Sequence, residues 1–448
     1  MKIDSFFRNE YCDYSVYDNY RKIGSNIDGL KTSARKILWT VMVNNIKQPV
    51  KVAQLSSKCA EFCAYIHGEV SLTGVAVGLA QNFVGSNNLP LLKREGMFGT
   101  RSIQEAAASR YIYTCYEDYI WKIFRKEDTP VLIEQEFEGD KIEPKFLLPI
   151  VPLIAINGSE GISTGFAQKI LPRNPKTVVD WLLARLDGTK LPRLAPHYIG
   201  WKGKVIEENG SWLFEGLYSV KNTNTIHITE IPPQYDLAGY VKVLDKLQED
   251  DVISDYADKS TDSHFEFVVS FTRQKLAELL KDEQNLKKNV LKLVKPVTEN
   301  FTYLNLDGDI RIDDTAKSIE DIIERYMEVR LRYYELRRQK QMAELKQEIS
   351  WLISRACFIK LYMSKELELY NVSEEDVIEK LKKADKIVTK NGSFDYLLNT
   401  PIRQLTKESL ERLKTELTQK TKQHNEIATT SAKDIWKNEL KELKEILK

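Results

Sequence analysis

The decapeptide EAAASRYIYT, residues 105–114, places Arg110 directly beside Tyr111. Its three consecutive alanines favour a helix, which the aromatic and β-branched residues that follow can continue at modest cost. We therefore predict that Arg110 and Tyr111 lie on a helix. At pH 7 only about one free tyrosine in a thousand is ionised, so a tyrosine nucleophile needs a fixed cation nearby. Arg110 can supply that charge and hold a phosphate; the alternative is an interfacial tyrosine beside a surface arginine.

Helical patterns fill the sequence before this stretch. Apolar residues three and four apart predict a helix over residues 30–41, and similar patterns cover residues 52–65 and 70–83. The second and third patterns are joined by a glycine-containing turn, which is typical of a helix-turn-helix. A loop rich in Gly and Asn, residues 85–104, then leads to the Arg110–Tyr111 pair. Together these elements predict a winged-helix unit.

Candidate phosphate contacts lie at two places in this unit. On the first helix Lys31 and Arg35 are one turn apart and share a face, and Lys36 follows directly. In the loop, Lys93 and Arg101 are further cations. Such clusters suit a phosphate backbone, although a solvated charged face is the alternative for each.

His67 occupies the turn between the second and third helices. It can donate to a phosphate or to a departing sugar oxygen, and the alternative is a partly buried capping residue. Cys59, Cys63 and His67 are four residues apart along one helical face. No fourth ligand has a suitable spacing, so we predict no metal site here.

The second half of the chain changes character twice. In a glycine-interrupted stretch, Ile162 can be an exposed apolar side chain, and the alternative is a core isoleucine in a turn. Alternating segments over residues 201–233 then predict antiparallel strands, followed by helices near 237–248 and 272–293. From residue 322 apolar spacing of three and four predicts a long helix to about 363, and a second pattern over 410–427 can run back against it. These features predict an α+β domain and then a long antiparallel helical pair.

Composition limits the remaining possibilities. The 448 residues are 42% hydrophobic and 29% charged, with a net charge of +1, so two to four domains are expected and any basic surface is local. No apolar run approaches a membrane span, and the N-terminus does not have the pattern of a signal peptide. The five cysteines are too scattered for a disulfide framework. We therefore expect a cytoplasmic protein.

Several stretches match one family in the same order along the chain. They are IDGLKTSARKILW from Ile27, YIHGEVSLTG from Tyr65, LAQNFVGSNN from Leu79, GMFGTR from Gly96, EAAASRYIYT from Glu105 and INGSEGISTGFA from Ile156, with weaker similarity in SAKDIWKNELKEL near the C-terminus. In these motifs the chain resembles the type IIA DNA topoisomerases, in the form found in the eukaryotic enzymes.

The resemblance implies a fold, a domain order and site residues. The fold would be multidomain and mainly α with α+β parts: an N-terminal arm (1–26), a winged-helix DNA-binding domain with the catalytic tyrosine (27–150), an α+β tower domain (151–315), and a coiled coil with a terminal helical dimerisation gate (316–448). The implied catalytic residues are Tyr111, Arg110, Arg35 and His67. The implied DNA contacts are Lys31, Lys36, Lys93, Arg101 and Ile162, where Ile162 wedges between base pairs.

The resemblance also implies partners and cofactors. The sequence contains no phosphate-binding loop and no closely spaced carboxylates in a strand-loop setting, whereas the family needs both ATP and Mg²⁺. We therefore expect a homodimer that binds double-stranded DNA together with a large subunit carrying the ATPase and metal-binding domains. The alternative from another class is a non-catalytic, dimeric winged-helix protein that only shapes DNA.

Overall fold

The computed structural model describes residues 3–370 and 372–447. The chain forms two compact units, one made by residues up to Arg330 and from Glu439 onward, the other by Leu331–Asn438. Met1, Lys2, Asn371 and Lys448 belong to the predicted arm and gate segments but lie outside the described residues. None of the described helices is long and apolar enough to cross a bilayer.

The first unit begins with helices, most of which the sequence patterns predicted. In chain order its first elements are α1 (Ile3–Arg8), α2 (Glu10–Lys22), α3 (Thr32–Val43), β1 (Val50–Lys51), α4 (Val52–Phe62), α5 (Glu69–Ala80) and β2 (Tyr113–Thr114). The three helices predicted over residues 30–83 are confirmed as α3, α4 and α5. On α3 the apolar stripe of Ile37, Leu38 and Val41 is fully buried, which explains why this segment is helical.

The helix predicted through Arg110 and Tyr111 is wrong. Residues 103–108 have no regular structure, and residues 109–111 form a turn. The backbone of this segment bonds to distant residues instead: the Ala107 amide donates to the Met97 carbonyl (2.9 Å), and the Val52 amide donates to the Ile112 carbonyl (3.0 Å). These long-range bonds, with the buried Ile112 side chain, outweigh the helix propensity of the alanine run.

The next elements bring a glycine-bounded hairpin to the surface. They are α6 (Ile120–Ile123), β3 (Glu136–Phe137), β4 (Asp140–Lys141), α7 (Leu153–Asn157), β5 (Ser159–Ile162), β6 (Ala167–Ile170) and α8 (Pro175–Leu186), with a 3₁₀ turn at Lys126–Val131. The apolar residues directly before Gly158 form α7. Gly158 has a φ of +73°, and a Cβ there would overlap the Ile170 carbonyl, so the entry into β5 requires glycine.

The antiparallel strands predicted over residues 201–233 are confirmed. This region contains β7 (Lys204–Glu208), β8 (Ser211–Glu215), β9 (Leu217–Asn222), β10 (Thr225–Glu230), α9 (Leu237–Glu249), β11 (Asp255–Asp258), β12 (Phe267–Ser270), α10 (Arg273–Leu279), α11 (Glu283–Asn285), a π-helical turn (Leu286–Val290), β13 (Val294–Val297), β14 (Tyr303–Asn305) and β15 (Arg311–Asp313). These strands form two sheets, with the orders β11-β12-β10-β9 and β13-β8-β7. A hydrophobic core that includes Ile226, Tyr240 and Phe267 packs on the first sheet. The predicted helix over 272–293 is broken into α10, α11 and the π-helical turn.

The long helix is present as α12 (Ile319–Met363, 45 residues). It is followed by α13 (Glu374–Lys383), α14 (Asp395–Leu398), a 3₁₀ turn (Ile402–Gln404), α15 (Lys407–Thr429) and α16 (Ala432–Ile446). The return helix predicted over 410–427 corresponds to α15. Between α12 and α15 the second unit has its own core, which includes Phe358, Leu381 and Leu397.

The C-terminal end of α16 belongs to the first unit. Arg125 donates to the Glu442 carboxylate at 3.0 Å, Lys122 donates to the same group at 3.2 Å, and Lys444 pairs with Asp180. Ser431 caps the start of this helix, because the Asp434 amide donates to the Ser431 hydroxyl at 3.1 Å.

Candidate active site

Tyr111 extends from the surface of the first unit. Its side chain is 67% exposed, and its amide donates to the Ala108 carbonyl (2.9 Å) within the turn. The guanidinium of Arg110 lies 5.2 Å from the centroid of the Tyr111 ring, which is cation–π range. The two residues therefore act as a pair, with a phenol that a large substrate can reach and a permanent cation beside it.

The chain that follows Tyr111 is held on both sides. On one side β2 pairs antiparallel with β1, opposing Lys51 to Tyr113. On the other side Tyr113 and Glu95 exchange two backbone hydrogen bonds of 2.9 and 3.0 Å, and the Lys93 amide donates to the Cys115 carbonyl at 2.8 Å. The strand after the tyrosine is thus bonded to β1 on one side and to the segment around Glu95 on the other, and this fixes the position of an otherwise exposed side chain.

A cleft of about 470 Å³ opens between the start of α3, one face of α5 and the strand β5. Lys31 lies in its wall and donates to the Glu160 carbonyl at 2.6 Å. Burial lowers the pKa of Lys31, and the Glu160 carboxylate partly opposes that shift. Along α5 a Cβ added at Gly74 or Gly78 would meet nothing within 4 Å, so this helix face leaves open space beside it. A backbone of phosphates could approach closely here.

The β5–β6 hairpin presents Ile162, which is 76% exposed. Helix α2 holds its tip: the Asp18 carboxylate accepts from the Thr164 amide (2.9 Å) and hydroxyl (3.0 Å), and Ser163 donates to Asn19 (2.5 Å). An apolar side chain on a fixed hairpin suits insertion into a base step.

The paired strands of the same hairpin are held by Gln168, which is 1% exposed and lies opposite Gly161. Its amide oxygen accepts from the Gly24 amide (2.9 Å) and the Ser159 hydroxyl (2.6 Å). Its NH₂ group donates to the carbonyls of Gly24 (3.1 Å) and Thr302 (2.8 Å). These buried bonds fix the strands of the hairpin to the loop at Gly24 and to Thr302.

Replacing Asp18 by alanine should loosen the hairpin tip. The hydrogen bonds to a charged carboxylate are lost, so amide exchange at Thr164 should accelerate by about tenfold or more. Hydrogen exchange followed by NMR or mass spectrometry measures this. Glu10→Gln, an exposed change on the same helix, is the control, and equal exchange in both variants would contradict the role of Asp18.

His67 faces helix α2 rather than open solvent. The Tyr17 hydroxyl hydrogen-bonds to its Nε2, and the Tyr65 ring packs edge-on with centroids 5.4 Å apart. Burial and then the positive charge of Arg21 lower the pKa of His67 below its ordinary value of 6.5. The neutral ring is therefore favoured at pH 7, and its role as a donor to phosphate stays a prediction.

The His67 environment predicts a measurable titration. The NMR midpoint of His67 should fall below 6.5, and Arg21→Gln should raise it because one repulsive charge is removed. As the pH falls through 6.5, the unfolded chain takes up this proton before the folded chain does, so stability should decline on the acid side. Arg8→Gln, on α1, is the control. An unchanged midpoint in Arg21→Gln would contradict this interpretation.

Arg35 does not face the cleft, and the predicted catalytic role is not compatible with its position. Its side chain is fully buried, with Nε 2.6 Å and Nη2 3.1 Å from the Asp28 carboxylate, and Nη2 also donates to the Leu30 carbonyl. Burial alone would lower the pKa of Arg35, but the attraction of Asp28 outweighs it and the pKa is raised. The guanidinium is a structural cation in the core of the first unit.

Two of the predicted DNA contacts are also buried ion pairs. Lys36 donates to Glu143 (2.8 Å) and to the Cys63 carbonyl (2.5 Å). Arg101, only 5% exposed, lies 2.6 Å from Glu230 and stacks on Phe265. Neither can reach a phosphate without breaking its pair, so both predictions are wrong for this conformation.

Lys93 remains at the surface. It lies 2.8 Å from the exposed Asp118, whose hydrogen bond raises the pKa of Lys93. The side chain can therefore still meet a phosphate, in exchange for a surface ion pair of small strength. Within the described residues no group of three or more His, Cys, Asp or Glu side chains is placed to hold a metal ion.

Sequence reasoning missed the residues that position the site. Asp18 and Gln168 stand 146 and 144 residues from the groups that they hold, so no local spacing marks them. In the sequence, Asp18 and Asn19 stand out only as a polar pair between Tyr17 and Tyr20, which does not indicate their distant partners.

Comparison with known proteins decides the family. The sequence profile of the A-type subunits of DNA gyrase/topoisomerase IV matches residues 21–441. The chain belongs to this family. The matched range includes the Arg110–Tyr111 pair, the cleft beside α5 and the hairpin that carries Ile162.

Similar curated proteins are longer than this member of the gyrase/topoisomerase IV family. The chain is 33% identical to the mitochondrial DNA topoisomerase 2 of Dictyostelium discoideum, over 99% of this chain and 35% of that protein. It is 32% identical to DNA topoisomerase 2-beta of Homo sapiens, over 98% of this chain and 29% of that protein. The chain thus spans about a third of the length of the curated relatives that it matches.

A solved structure shares the fold. The crystal structure of the Plasmodium falciparum topoisomerase II DNA-binding, cleavage and re-ligation domain superposes with a TM-score of 0.86 and 29% sequence identity. The match covers 98% of this chain and 64% of that one. The mixed helical and sheet architecture of this family member is therefore that of a topoisomerase II cleavage domain.

Proposed function

We propose that this chain is the DNA-cleaving and rejoining component of an ATP-dependent type II DNA topoisomerase. The complete enzyme would make a transient double-strand break, pass a second duplex through it, and so relax supercoils and decatenate DNA. The observation that carries this proposal is the exposed Tyr111 with the Arg110 guanidinium 5.2 Å from its ring, in a chain of the gyrase/topoisomerase IV family. A non-catalytic architectural protein would not need this pair.

The proposed chemistry is a reversible phosphoryl transfer. The Tyr111 oxygen attacks a backbone phosphorus, a bond to that oxygen forms, and the bond from phosphorus to the 3′ oxygen breaks. The phenol loses its proton, the departing 3′ oxygen gains one, and the 5′ phosphate stays on the tyrosine. Because one phosphodiester replaces another, resealing needs no further energy, and ATP would serve movements of the protein. Arg110 would stabilise charge on the phosphate oxygens, and His67 would be a further donor.

The proposed assembly has two copies of this chain and a partner. Each copy would cut one strand of the same duplex. A large subunit would carry the ATPase and metal-binding domains and hold ATP and Mg²⁺. The T-even phage DNA topoisomerase is divided in this way, and this chain would correspond to its medium subunit, which breaks and rejoins DNA. A phage origin would place the enzyme in the cytoplasm of the bacterial host.

The structural elements take names from the family in this proposal. Residues 27–150 would be a winged-helix domain, 151–315 a tower domain, and 316–448 a coiled coil with an exit gate, after an arm at 1–26. The DNA backbone would run along the cleft beside α5, which has Lys31 in its wall. Lys93, which follows α5 in the chain, would be a further contact. Ile162, exposed on its hairpin, would enter a base step and bend the cut segment.

The wedge role of Ile162 makes a separate prediction. Ile162→Ala should reduce DNA bending, measured by energy transfer between dyes at the ends of a short duplex, and should weaken binding less than bending. Ile199→Ala, another exposed isoleucine, is the control. Full bending in Ile162→Ala would remove the wedge from the proposal.

A direct test of the function maps the covalent link. The chain is incubated with its ATPase partner, Mg²⁺ and end-labelled duplex DNA, stopped with detergent and digested with protease. A peptide containing Tyr111 on a 5′ end is expected. Tight DNA binding without any adduct, despite a competent partner, would favour the architectural alternative.

A further inference from the structure

Tyr17 of helix α2 contacts the ring of His67, which lies in the turn between α4 and α5. The centroids of the two rings are 5.9 Å apart, and the Tyr17 hydroxyl is hydrogen-bonded to His67 Nε2. Tyr65 packs edge-on against the same imidazole. A rotation of the imidazole would break either the hydrogen bond or an aromatic contact. The orientation of His67 is therefore set by its two tyrosine neighbours.

The environment of His67 also keeps its ring uncharged. Burial and the positive charge of Arg21 both lower the pKa of His67, so the neutral ring is favoured at pH 7. The Arg21 guanidinium lies 5.5 Å from the centroid of the Tyr17 ring, and Arg21 lines the cleft beside α5. A neutral imidazole has one N–H and one bare nitrogen, and its hydrogen bonds decide which nitrogen carries the proton. The tautomer of His67 therefore depends on the direction of its bond to Tyr17.

The chemistry of the two groups favours Tyr17 as the donor. A phenol hydroxyl is a stronger donor than the N–H of a neutral imidazole, and a bare ring nitrogen is a stronger acceptor than a phenol oxygen. When Nε2 accepts, the single ring proton has to be on Nδ1. Within the described part of the chain Nδ1 forms no hydrogen bond, and it is not completely buried. His67 thus keeps one N–H that a ligand can use.

We propose that Tyr17 is a positioning residue for His67: its hydroxyl holds Nε2 as an acceptor and so fixes the ring proton on Nδ1, the nitrogen that donates to the phosphate. This inference rests on the proposed function, in which His67 is a donor to the phosphate. Without the hydroxyl the proton is shared between the two nitrogens. A fraction of the molecules then presents a bare nitrogen where an anionic phosphate oxygen needs a donor.

Nitrogen NMR of the full chain, labelled with ¹⁵N at histidine and studied without DNA, reads the tautomer directly. At about pH 8, where the ring is neutral, Nδ1 of His67 should have the chemical shift of a protonated nitrogen and Nε2 that of a bare one. Tyr17→Phe removes only the hydroxyl, and the fraction with the proton on Nε2 should rise several-fold. His67→Gln identifies the signal, and a melting curve checks that each variant folds like the parent.

The matched control is Tyr14→Phe, which makes the same change on the exposed surface of α2. Its His67 tautomer should equal that of the parent. A ring proton on Nε2 in the parent would overturn the proposal, because Tyr17 would then be the acceptor. An unchanged tautomer in Tyr17→Phe would overturn it as well.

The effect on chemistry is measured as the rate at which protein-linked DNA forms with the ATPase partner and Mg²⁺. Tyr17→Phe should slow cleavage about tenfold, and filter binding should show DNA affinity within about twofold of the parent. Tyr14→Phe should cleave like the parent. In a His67→Gln background Tyr17→Phe should have no further effect, because the hydroxyl acts through His67.

The NMR and cleavage results distinguish the two proposals. If the parent forms no link to DNA despite a competent partner, the proposed function fails, while the tautomer assignment is decided by NMR alone. If the parent cleaves and Tyr17→Phe cleaves equally fast, the positioning role of Tyr17 is overturned. An equal loss on removal of the hydroxyl with and without His67 would also overturn it, since the hydroxyl would then act by another route.

Discussion

Replacement of Tyr111 by phenylalanine is expected to abolish DNA cleavage and leave DNA binding nearly unchanged. The variant lacks only one hydroxyl oxygen, which is the proposed nucleophile, while the ring, the Arg110 cation and the phosphate-facing surfaces remain. Loss of a nucleophile removes the covalent route, so the yield of protein-linked DNA should fall by about a thousandfold or more. Gel separation of detergent-trapped complexes measures cleavage, and filter binding measures affinity.

The chain provides a matched control two residues away. Tyr113 is also exposed, at 37%, and lies on β2 directly after the same turn. Tyr113→Phe should keep cleavage. If Tyr111→Phe cleaves like the parent, or if only Tyr113→Phe fails, the assignment of the nucleophile is wrong.

Replacement of Arg35 by methionine is expected to destabilise the first unit without a specific effect on chemistry. It would leave the Asp28 carboxylate, which is fully buried, without its counter-charge, although that carboxylate still accepts from the amides of Leu30 and Leu147. Breaking one side of a buried pair costs about 3–5 kcal/mol. Urea unfolding followed by circular dichroism measures the loss.

A double variant separates structure from catalysis. Arg35→Met with Asp28→Asn removes both charges and should recover part of the lost stability, because no unpaired carboxylate remains and an amide oxygen can still accept from a buried backbone amide. Cleavage per folded molecule should stay near the parent value in all of these variants. If the Arg35→Met variant is as stable as the parent but cannot cleave DNA, the structural assignment is wrong and Arg35 has a catalytic role.

The sequence predicted well the elements that depend on local periodicity. Helices α3, α4, α5, α12 and α15 and the strands β7 to β10 were all visible as apolar spacing, because each buries one face of a regular element. Tyr111 and Ile162 were recognised from motifs, and both are exposed.

The sequence could not predict the partners of charged residues. Lys36 pairs with a glutamate 107 residues away, and Arg101 pairs with Glu230 from another part of the first unit. A basic residue in a loop or on a helix has the same appearance in sequence whether it faces a phosphate or a buried carboxylate. The helix prediction for the alanine run before Tyr111 failed for a related reason, since the Ala107 amide bonds to Met97 and the carbonyls of Ser109 and Ile112 bond to α4.

The strand after Tyr111 also has a mechanical consequence. If that tyrosine holds the end of a broken duplex, any tension on the DNA is applied to the backbone at the start of β2. The hydrogen bonds to β1 and to Glu95 lie across the direction of the strand on both sides, so a pull along it loads them together in shear instead of opening them one at a time. The short strand β2 would therefore resist being pulled out of place by the bound DNA end. That resistance would depend on backbone hydrogen bonds, which few side-chain substitutions can weaken.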